Sequence, residues 1–232
     1  MSSAALDIVD VNIFSLFIQT GIAIKFIIIL LIFLSIFSWS IIIEKVLKFA
    51  IIRQKSKEFD QIFWSGQSLE ELYKLLIDRK NIGSALIFIS AMCEWKKSFE
   101  KGACSHDGGV QGRIDRMMNV AISRELEDIV DKLGILSAIA SISFLIGLLG
   151  IVLGLINSLQ IIAAYRFTSI VVVLPEITGA LISIMLGLLV SITSTFAYNI
   201  LMENVRKFSV QMEEFADEFY TILSRQIKGN SL

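Results

Sequence analysis

The sequence predicts an all-α integral membrane protein, with three transmembrane helices and long helical extensions into the cytoplasm. Two observations carry this prediction. Apolar residues make up 55% of the 232 residues and charged residues only 19%, whereas average soluble domains hold about 25% charged residues. Three long segments, 26–43, 133–165 and 177–202, contain no charged side chain, and a helix of about 20 apolar residues spans the hydrocarbon core of a bilayer.

These segments are too long, and alternate too little, for the strands of a membrane barrel, which need only about 9–11 residues each. We therefore predict membrane spans at 22–43, 137–163 and 174–199. The first span does not resemble a cleavable signal peptide, because Asp7 and Asp10 precede it in place of a basic region. A short amphipathic helix is expected before it, since four apolar residues share one helical face: Val11, Phe14, Phe17 and Ile18.

Basic residues predict the orientation, because cytoplasmic flanks of membrane helices collect Lys and Arg. One side of the membrane holds most of them: Lys45, Lys48, Arg53, Lys55, Lys57, Arg116, Arg124, Lys132, Arg206 and Lys207. The other side offers only Lys25 and Arg166. The predicted order is an external segment with the short amphipathic helix (1–21), the first span (22–43), a cytoplasmic helical loop (44–136), the second span (137–163), a short external loop (164–173), the third span (174–199) and a cytoplasmic helical tail (200–232).

Both cytoplasmic parts are predicted to be helical. The loop contains helix formers and no proline, and a turn is expected at four glycines: Gly102, Gly108, Gly109 and Gly112. The acidic residues that end near 131 should extend the second span as one rod. Apolar residues of the tail recur at spacings of three and four: Val205, Phe208, Met212, Phe215, Phe219 and Ile222. We favour packing of this seam against the loop helices over an intersubunit coiled coil.

Several functions are disfavoured by composition. A net charge of −1 provides no basic field for nucleic acid. Cys93 and Cys104 do not form a disulfide framework, and Cys104 with His106 supplies only two of the about four ligands of a structural zinc, so no metal site is predicted. No nucleophile and base pair can be built around the single His106, so we predict neither an enzyme nor a bound cofactor.

Small and polar residues form a stripe on each of the last two spans. On the third span they recur every four residues: Gly179, Ser183, Gly187, Ser191 and Thr195. The second span has a similar set: Ser143, Gly147, Gly150, Gly154, Asn157 and Ser158. These positions are candidates for facing a lumen or a partner. Close helix packing is the alternative for the glycines, and a bond to the carbonyl of the same helix is the alternative for each hydroxyl.

No carboxylate, His or Lys lies deep in any predicted span, although such groups usually carry protons through membranes. Glu176 lies at the outer edge of the third span beside Pro175, and solvation at the interface is the alternative to a functional role. If the protein works on an ion gradient, a partner must therefore bring the carboxylate.

The chain resembles the TolQ/ExbB/MotA family over nearly its whole length. The resemblance is carried by RELE at 124–127, IGLLGIVLG at 146–154, and the segment from ALI at 180–182 to AYN at 197–199. The sequences FWSG at 63–66 and FSW at 37–39 are similar to the TolQ branch of that family.

The resemblance implies an inner-membrane stator subunit driven by protons. It implies a homopentamer around a TolR-like or ExbD-like single-helix dimer whose aspartate carries the proton, acting with a TolA-like protein on outer-membrane constriction and envelope integrity. An ExbB-like stator for TonB-dependent uptake is the first alternative. A structural membrane scaffold or a self-contained channel, in contact with lipid only, is the second.

Four positions depart from the family pattern. The threonines that family members carry in the second and third spans fall on Ile151 and Ile184, the glutamate near the start of the third span falls on Gly179, and the proline near its inner end falls on Thr193. Three residues are candidates to replace the missing polar groups: Thr178, Ser183 and Ser191.

Overall fold

The computed structural model describes residues 21–66, 68–77, 81–100, 107–164 and 170–229, and these residues contain helices and no strand. The helices are α1 (Ile22–Phe63), α2 (Leu69–Leu76), α3 (Ser84–Glu100), α4 (Asp107–Val130), α5 (Leu133–Ala164) and α6 (Ile170–Gly229). Three stretches are long and apolar enough to cross a membrane, which confirms the predicted fold class. With 42 and 60 residues, α1 and α6 exceed the length that a bilayer requires.

The chain divides into two compact units. The first combines the chain up to Ile42 with Gly134–Tyr198, and the second combines Ile43–Leu133 with the chain from Asn199. In the first unit, α1 contributes buried isoleucines such as Ile24 and Ile27, while the opposite sides of the helices expose many large apolar side chains. This distribution is typical of helices whose outer faces contact acyl chains.

An aromatic cluster forms the core of the second unit. The ring centroid of Phe63 on α1 lies 5.2 Å from that of Phe215 and 5.8 Å from that of Phe219, both on α6. Phe88 on α3 lies 5.1 Å from Phe219. The predicted packing of the tail against the loop helices is therefore confirmed.

At the end of the tail seam, the buried residue is Leu223 and not Ile222, which is half-buried. The small angular drift of an α-helix relative to a repeat of three and four residues shifts the contact by one position.

The glycine-rich turn was predicted wrongly for three of its four residues. Helix α4 begins at Asp107 and includes Gly108, Gly109 and Gly112, while Gly102 lies outside the described residues, as do Cys104 and His106. Helix α4 buries an apolar face that includes Ile114 and packs along α3. This tertiary packing overrides the low helix propensity of glycine.

The second span and the acidic segment before it do not form one rod. The helix breaks between α4 and α5, where Lys132 adopts a left-handed backbone conformation with a φ of 66°. The last carbonyl groups of a helix need partners outside the helix. Here Lys45, which is 2% exposed, donates to the carbonyl of Ile129 at 3.0 Å, and Lys48 donates to the carbonyl of Asp128 at 3.1 Å.

A half-buried carboxyl group joins α4 to the start of α3. Glu125 Oε1 accepts a hydrogen bond from the backbone N–H of Gly83 at 3.3 Å. Gly83 has a φ of +65°, and a Cβ atom there would lie 2.6 Å from Ser56 Oγ, so a side chain is disfavoured by both backbone and space. Burial raises the pKa of Glu125 above its usual value, and the Gly83 bond only partly offsets this.

We predict that Glu125→Gln stabilises the second unit at neutral pH. A carboxyl group with a raised pKa in the folded state destabilises that state when it is ionised, and this effect disappears as the pH falls through the folded and then the unfolded pKa. Gln keeps an acceptor for Gly83 without the charge. Thermal unfolding in detergent should show a higher midpoint for the variant at pH 7.5 and a smaller difference at pH 4.5. A difference that grows toward acid would contradict this assignment.

Candidate functional site

The backbones of α5 and α6 approach each other most closely at two glycines. A Cβ atom on Gly187 would lie 2.7 Å from the carbonyl oxygen of Ser143 and 2.9 Å from the Cα atom of Gly147. Real Cβ atoms do not come this close to backbone atoms. The two helices can therefore approach each other this closely only because Gly147 and Gly187 have no side chain. The crossing brings together the two predicted stripes.

The crossing continues toward the start of α6. A Cβ atom on Gly150 would collide with the side chain of Ser183, and one on Gly154 would collide with the side chain of Ala180. Like the two glycines at the closest approach, these residues are buried within a single chain. Close helix packing, the alternative considered for the glycines, accounts for their positions without a lumen.

Several hydroxyl groups of the two helices are satisfied by nearby carbonyl groups. Ser183 Oγ donates to the carbonyl of Ala180 at 2.7 Å, Ser158 Oγ donates to that of Gly154 at 2.8 Å, and Thr193 Oγ1 donates to that of Leu189 at 2.8 Å. Such bonds remove the cost of placing a hydroxyl group in an apolar environment.

Ser143 is the exception among the buried hydroxyl groups of the stripes. Its Oγ has no hydrogen-bond partner among the described residues, and its side chain is fully buried.

The sequence did not single out one polar pair between α1 and α6. Ser38 Oγ and Ser194 Oγ lie 2.7 Å apart, and both side chains are buried. One hydroxyl group donates to the other, and this hydrogen bond joins α1 to α6 in an apolar surrounding. Ser38 is one of three serines in the segment 26–43, and no spacing distinguished it from Ser35 and Ser40.

After Gly187, the buried residues of α6 no longer follow the predicted stripe that recurs every four residues. Its next buried residues are Val190 and Ser194, whereas Ser191 is half-buried and Thr195 is exposed. Four residues turn a helix by about 400°, so a strict spacing of four drifts away from a straight contact line. Ser191 and Thr195 are therefore available for contacts outside the chain, and their assignment to a lumen or partner stays a prediction.

The remaining candidate positions are half-buried or buried. Residues of both helices are half-buried: Asn157, Thr178, Ile151 and Ile184. Gly179, where the family glutamate is expected, is buried. Neither isoleucine offers a hydrogen-bonding group, so the structure provides no polar atom at the two positions where the family pattern has threonine.

Glu176 forms a small polar cluster at the start of α6. Its Oε1 accepts a hydrogen bond from the backbone N–H of Gly21 at 2.8 Å, and a Cβ atom on that glycine would lie 3.1 Å from Asn157 Nδ2 and 3.2 Å from Glu176 Oε1. Glu176 is only 8% exposed, so the alternative of a solvated interfacial residue is wrong. Its Oε2 is buried and has no hydrogen-bond partner among the described residues.

The known proteins to which this chain is similar carry related descriptions. A profile described as the MotA/TolQ/ExbB proton channel family matches residues 88–214. The chain is 32% identical to the Tol-Pal system protein TolQ of Haemophilus influenzae, covering 96% of this chain and 98% of that protein. It is 29% identical to the same-named protein of Pseudomonas aeruginosa, covering 93% and 94%. It is 24% identical to the biopolymer transport protein ExbB of Salmonella typhimurium, covering 96% and 90%.

We predict that Gly187→Ala destabilises the first unit by about 1–3 kcal/mol, because the added methyl group overpacks a contact between backbones. Gly134→Ala is the matched control, since a Cβ atom at Gly134 meets nothing within 4 Å. Thermal unfolding in detergent should show a lower midpoint for the first variant and an unchanged or higher one for the second. Equal midpoints would show that the crossing does not limit stability.

Proposed function

Because the chain belongs to the MotA/TolQ/ExbB proton channel family, we propose that it is the stator subunit of a proton-driven motor of the Tol-Pal type. It is a multi-pass inner-membrane protein. In the proposed assembly, five copies surround a TolR-like or ExbD-like dimer and energise a TolA-like protein, which acts on outer-membrane constriction and envelope integrity. The N-terminus faces the periplasm and the C-terminus faces the cytoplasm.

One observation carries the proposal: the charge-free segments contain no group that could relay a proton through the middle of a membrane. Several of their hydroxyl groups are bonded to carbonyl groups of their own helices. A proton needs a titratable group or water along its route. The carboxylate that binds the proton at mid-membrane is therefore supplied by the partner helix, and this chain forms the surrounding track.

Glu176 is the group of this chain that we assign to proton entry. Its free Oε2 can accept a proton at the outer end of the bundle, while the bond from Gly21 fixes the carboxyl group. It lies about one helical turn before Gly179, where the family glutamate is expected. In the proposed mechanism, Glu176 passes the proton to the partner's aspartate.

Proton transfer across the membrane then performs work. Each elementary charge that crosses 100 mV releases about 2.3 kcal/mol. Neutralising the partner's aspartate removes the cost of moving it past the apolar faces of α5 and α6, and ionisation restores that cost. This alternation biases the motion of the partner relative to the stator.

The ExbB-like function is the second candidate. The relative named ExbB is similar over most of both chains, although at lower identity than the two relatives named TolQ. Complementation separates the two functions. Restoration of detergent resistance in a strain lacking its own TolQ supports the Tol-Pal role, whereas restoration of TonB-dependent uptake alone supports the alternative.

We predict that vesicles containing the purified chain alone carry no proton current above background, because the chain lacks a mid-membrane carrier. Current should appear when the chain is co-reconstituted with a single-helix partner that has an intramembrane aspartate. The mass of the co-purified complex should correspond to five copies of this chain and two of the partner. A robust proton current through the lone chain would contradict the stator role and favour a self-contained channel.

We predict that Glu176→Gln lowers the proton current of the complete complex at least about a hundredfold, the lower end of what losing a proton-transfer group costs, without changing the mass of the complex. Gln keeps an acceptor for Gly21 but takes up no proton. Glu203→Gln is the matched control, since Glu203 lies on the same helix, exposed and paired with Arg206. An undiminished current in the Glu176 variant would remove this residue from the pathway.

A further inference from the structure

A cavity of about 530 Å³ lies in the second unit between α1 and α6. The two helices run parallel here, because Phe59 and then Phe63 of α1 contact Phe215 and then Phe219 of α6. Charge is therefore ordered along the cavity by position in the sequence. Along α1 the lining changes from basic at Arg53 and Lys57 to acidic at Asp60, and along α6 it changes from basic at Lys207 to acidic at Glu214 and Glu218.

The nearest basic residue of the lining along α1 is Lys57, one helical turn before Asp60. Asp60 makes no ion pair with any residue in the described ranges. Burial, followed by the neighbouring charge of Glu218, raises the pKa of Asp60. The arrangement places an unpaired and partly desolvated carboxyl group beside aromatic surface, which is a setting that favours binding of a cation from outside the chain.

Helix α4 carries a complementary surface, which we call the outer face of α4 and which consists of Arg116, Val120, Ser123 and Glu127. All four residues are exposed. The outer face lies opposite the buried side of α4, which holds residues such as Met118 and Ala121. It is basic at one end, apolar in the middle and acidic at the other end, and Arg116 makes no ion pair with any residue that the structure describes.

The positions of these charges correspond along the helix axes. Helices α1 and α4 run antiparallel, with Lys48 bonded to Asp128 at 2.7 Å. Asp60 lies twelve residues after Lys48, and Arg116 lies twelve residues before Asp128. Since every residue of an α-helix rises by about 1.5 Å, Arg116 and Asp60 each lie about 18 Å along their own helix from the Lys48–Asp128 bond.

The rest of the outer face matches in the same way. Val120 is level with Ser56 of the cavity lining. Glu127 is level with position 49, which is about 6 Å along the axis from Arg53 and within reach of its long side chain.

We propose that the outer face of α4 in one copy of this chain occupies the cavity of the next copy, with Arg116 paired to Asp60. The proposal rests on the oligomeric stator of the proposed function. Copies that share one bilayer are related by rotation about its normal, and this rotation leaves the level of each residue unchanged. The contact joins two different surfaces, so it repeats from copy to copy until a ring closes. A ring with an odd number of members requires a contact of this kind.

Cysteine cross-linking tests the contact in the full chain. Asp60→Cys and Arg116→Cys are introduced together after Cys93→Ser and Cys104→Ser, and membranes are oxidised before electrophoresis without reductant. A disulfide between copies should produce a ladder that extends beyond the dimer. Asp60→Cys with Ser123→Cys is the matched control, because Ser123 lies on the same face but about 10 Å further along the axis, too far for a disulfide.

The mass of the purified complex separates the failure of this proposal from the failure of the stator itself. A ring of normal mass without a ladder, or with an equal ladder in the control, overturns the α4 contact and leaves the stator intact. A ladder that stops at the dimer also overturns it, since it indicates a contact between identical surfaces. A chain that purifies as a monomer removes the oligomeric stator on which the proposal rests.

Charge reversal provides a second measurement that does not need oxidation. Asp60→Lys should weaken assembly at least about tenfold, since like charges would face each other across the contact. Adding Arg116→Glu should restore most of the loss, as judged by the fraction of ring in size-exclusion chromatography with light scattering. Additive losses in the double variant would show that the two residues do not meet.

Discussion

The backbone contact between α5 and α6 at Gly147 and Gly187 determines the packing of the membrane-spanning unit. In a bilayer, apolar side chains gain little by leaving lipid for protein, so helices associate through close packing and local polar bonds. A Cβ atom at Gly187 would lie 2.7 Å from the carbonyl oxygen of Ser143, so this approach exists only for glycine. The collisions that Cβ atoms would make at Gly150 and Gly154 extend the same requirement toward the start of α6.

This packing leaves the unit with two kinds of buried polar group. Hydroxyl groups such as Ser183 and Ser158 are bonded to carbonyl groups of their own helices, and Ser38 is bonded to Ser194, so they stabilise the bundle at little desolvation cost. The buried carboxyl group of Glu176 lies near the start of α6. Among the residues of this unit that the structure describes, Glu176 has the only side-chain carboxyl group, which is why the proposed function assigns proton entry to it.

The second unit depends on different forces. Its core is aromatic, with Phe63, Phe88 and Phe219 in mutual contact, and such rings contribute about 0.5–1.5 kcal/mol per pair beyond the area they bury. Lys45 and Lys48 bond the last carbonyl groups of α4. The two lysines thereby stabilise the helix break at Lys132 and hold α4 in the orientation on which its outer face depends.

Much of the protein was determined by sequence patterns that act locally. Long charge-free segments specify membrane helices because an unpaired charge or an unbonded backbone group is costly in hydrocarbon. The spacing of Phe208, Met212, Phe215 and Phe219 specified the buried side of the tail, and the recurrence of small residues specified the contact at Gly147 and Gly187, because helical periodicity places such residues on one face.

Only the tertiary structure decided which neighbours these residues meet. The glycines at 108, 109 and 112 are helical because the following turns of α4 pack along α3, and the rod before the second span is broken because two lysines of α1 supply partners to its carbonyl groups. Thr195 was predicted to lie on the stripe but is exposed, and Ser194 is buried instead. The contact line between real helices follows their packing angle and not a fixed repeat. The burial of Glu176 depends on Gly21, which is distant in the sequence, and no local pattern contains that information.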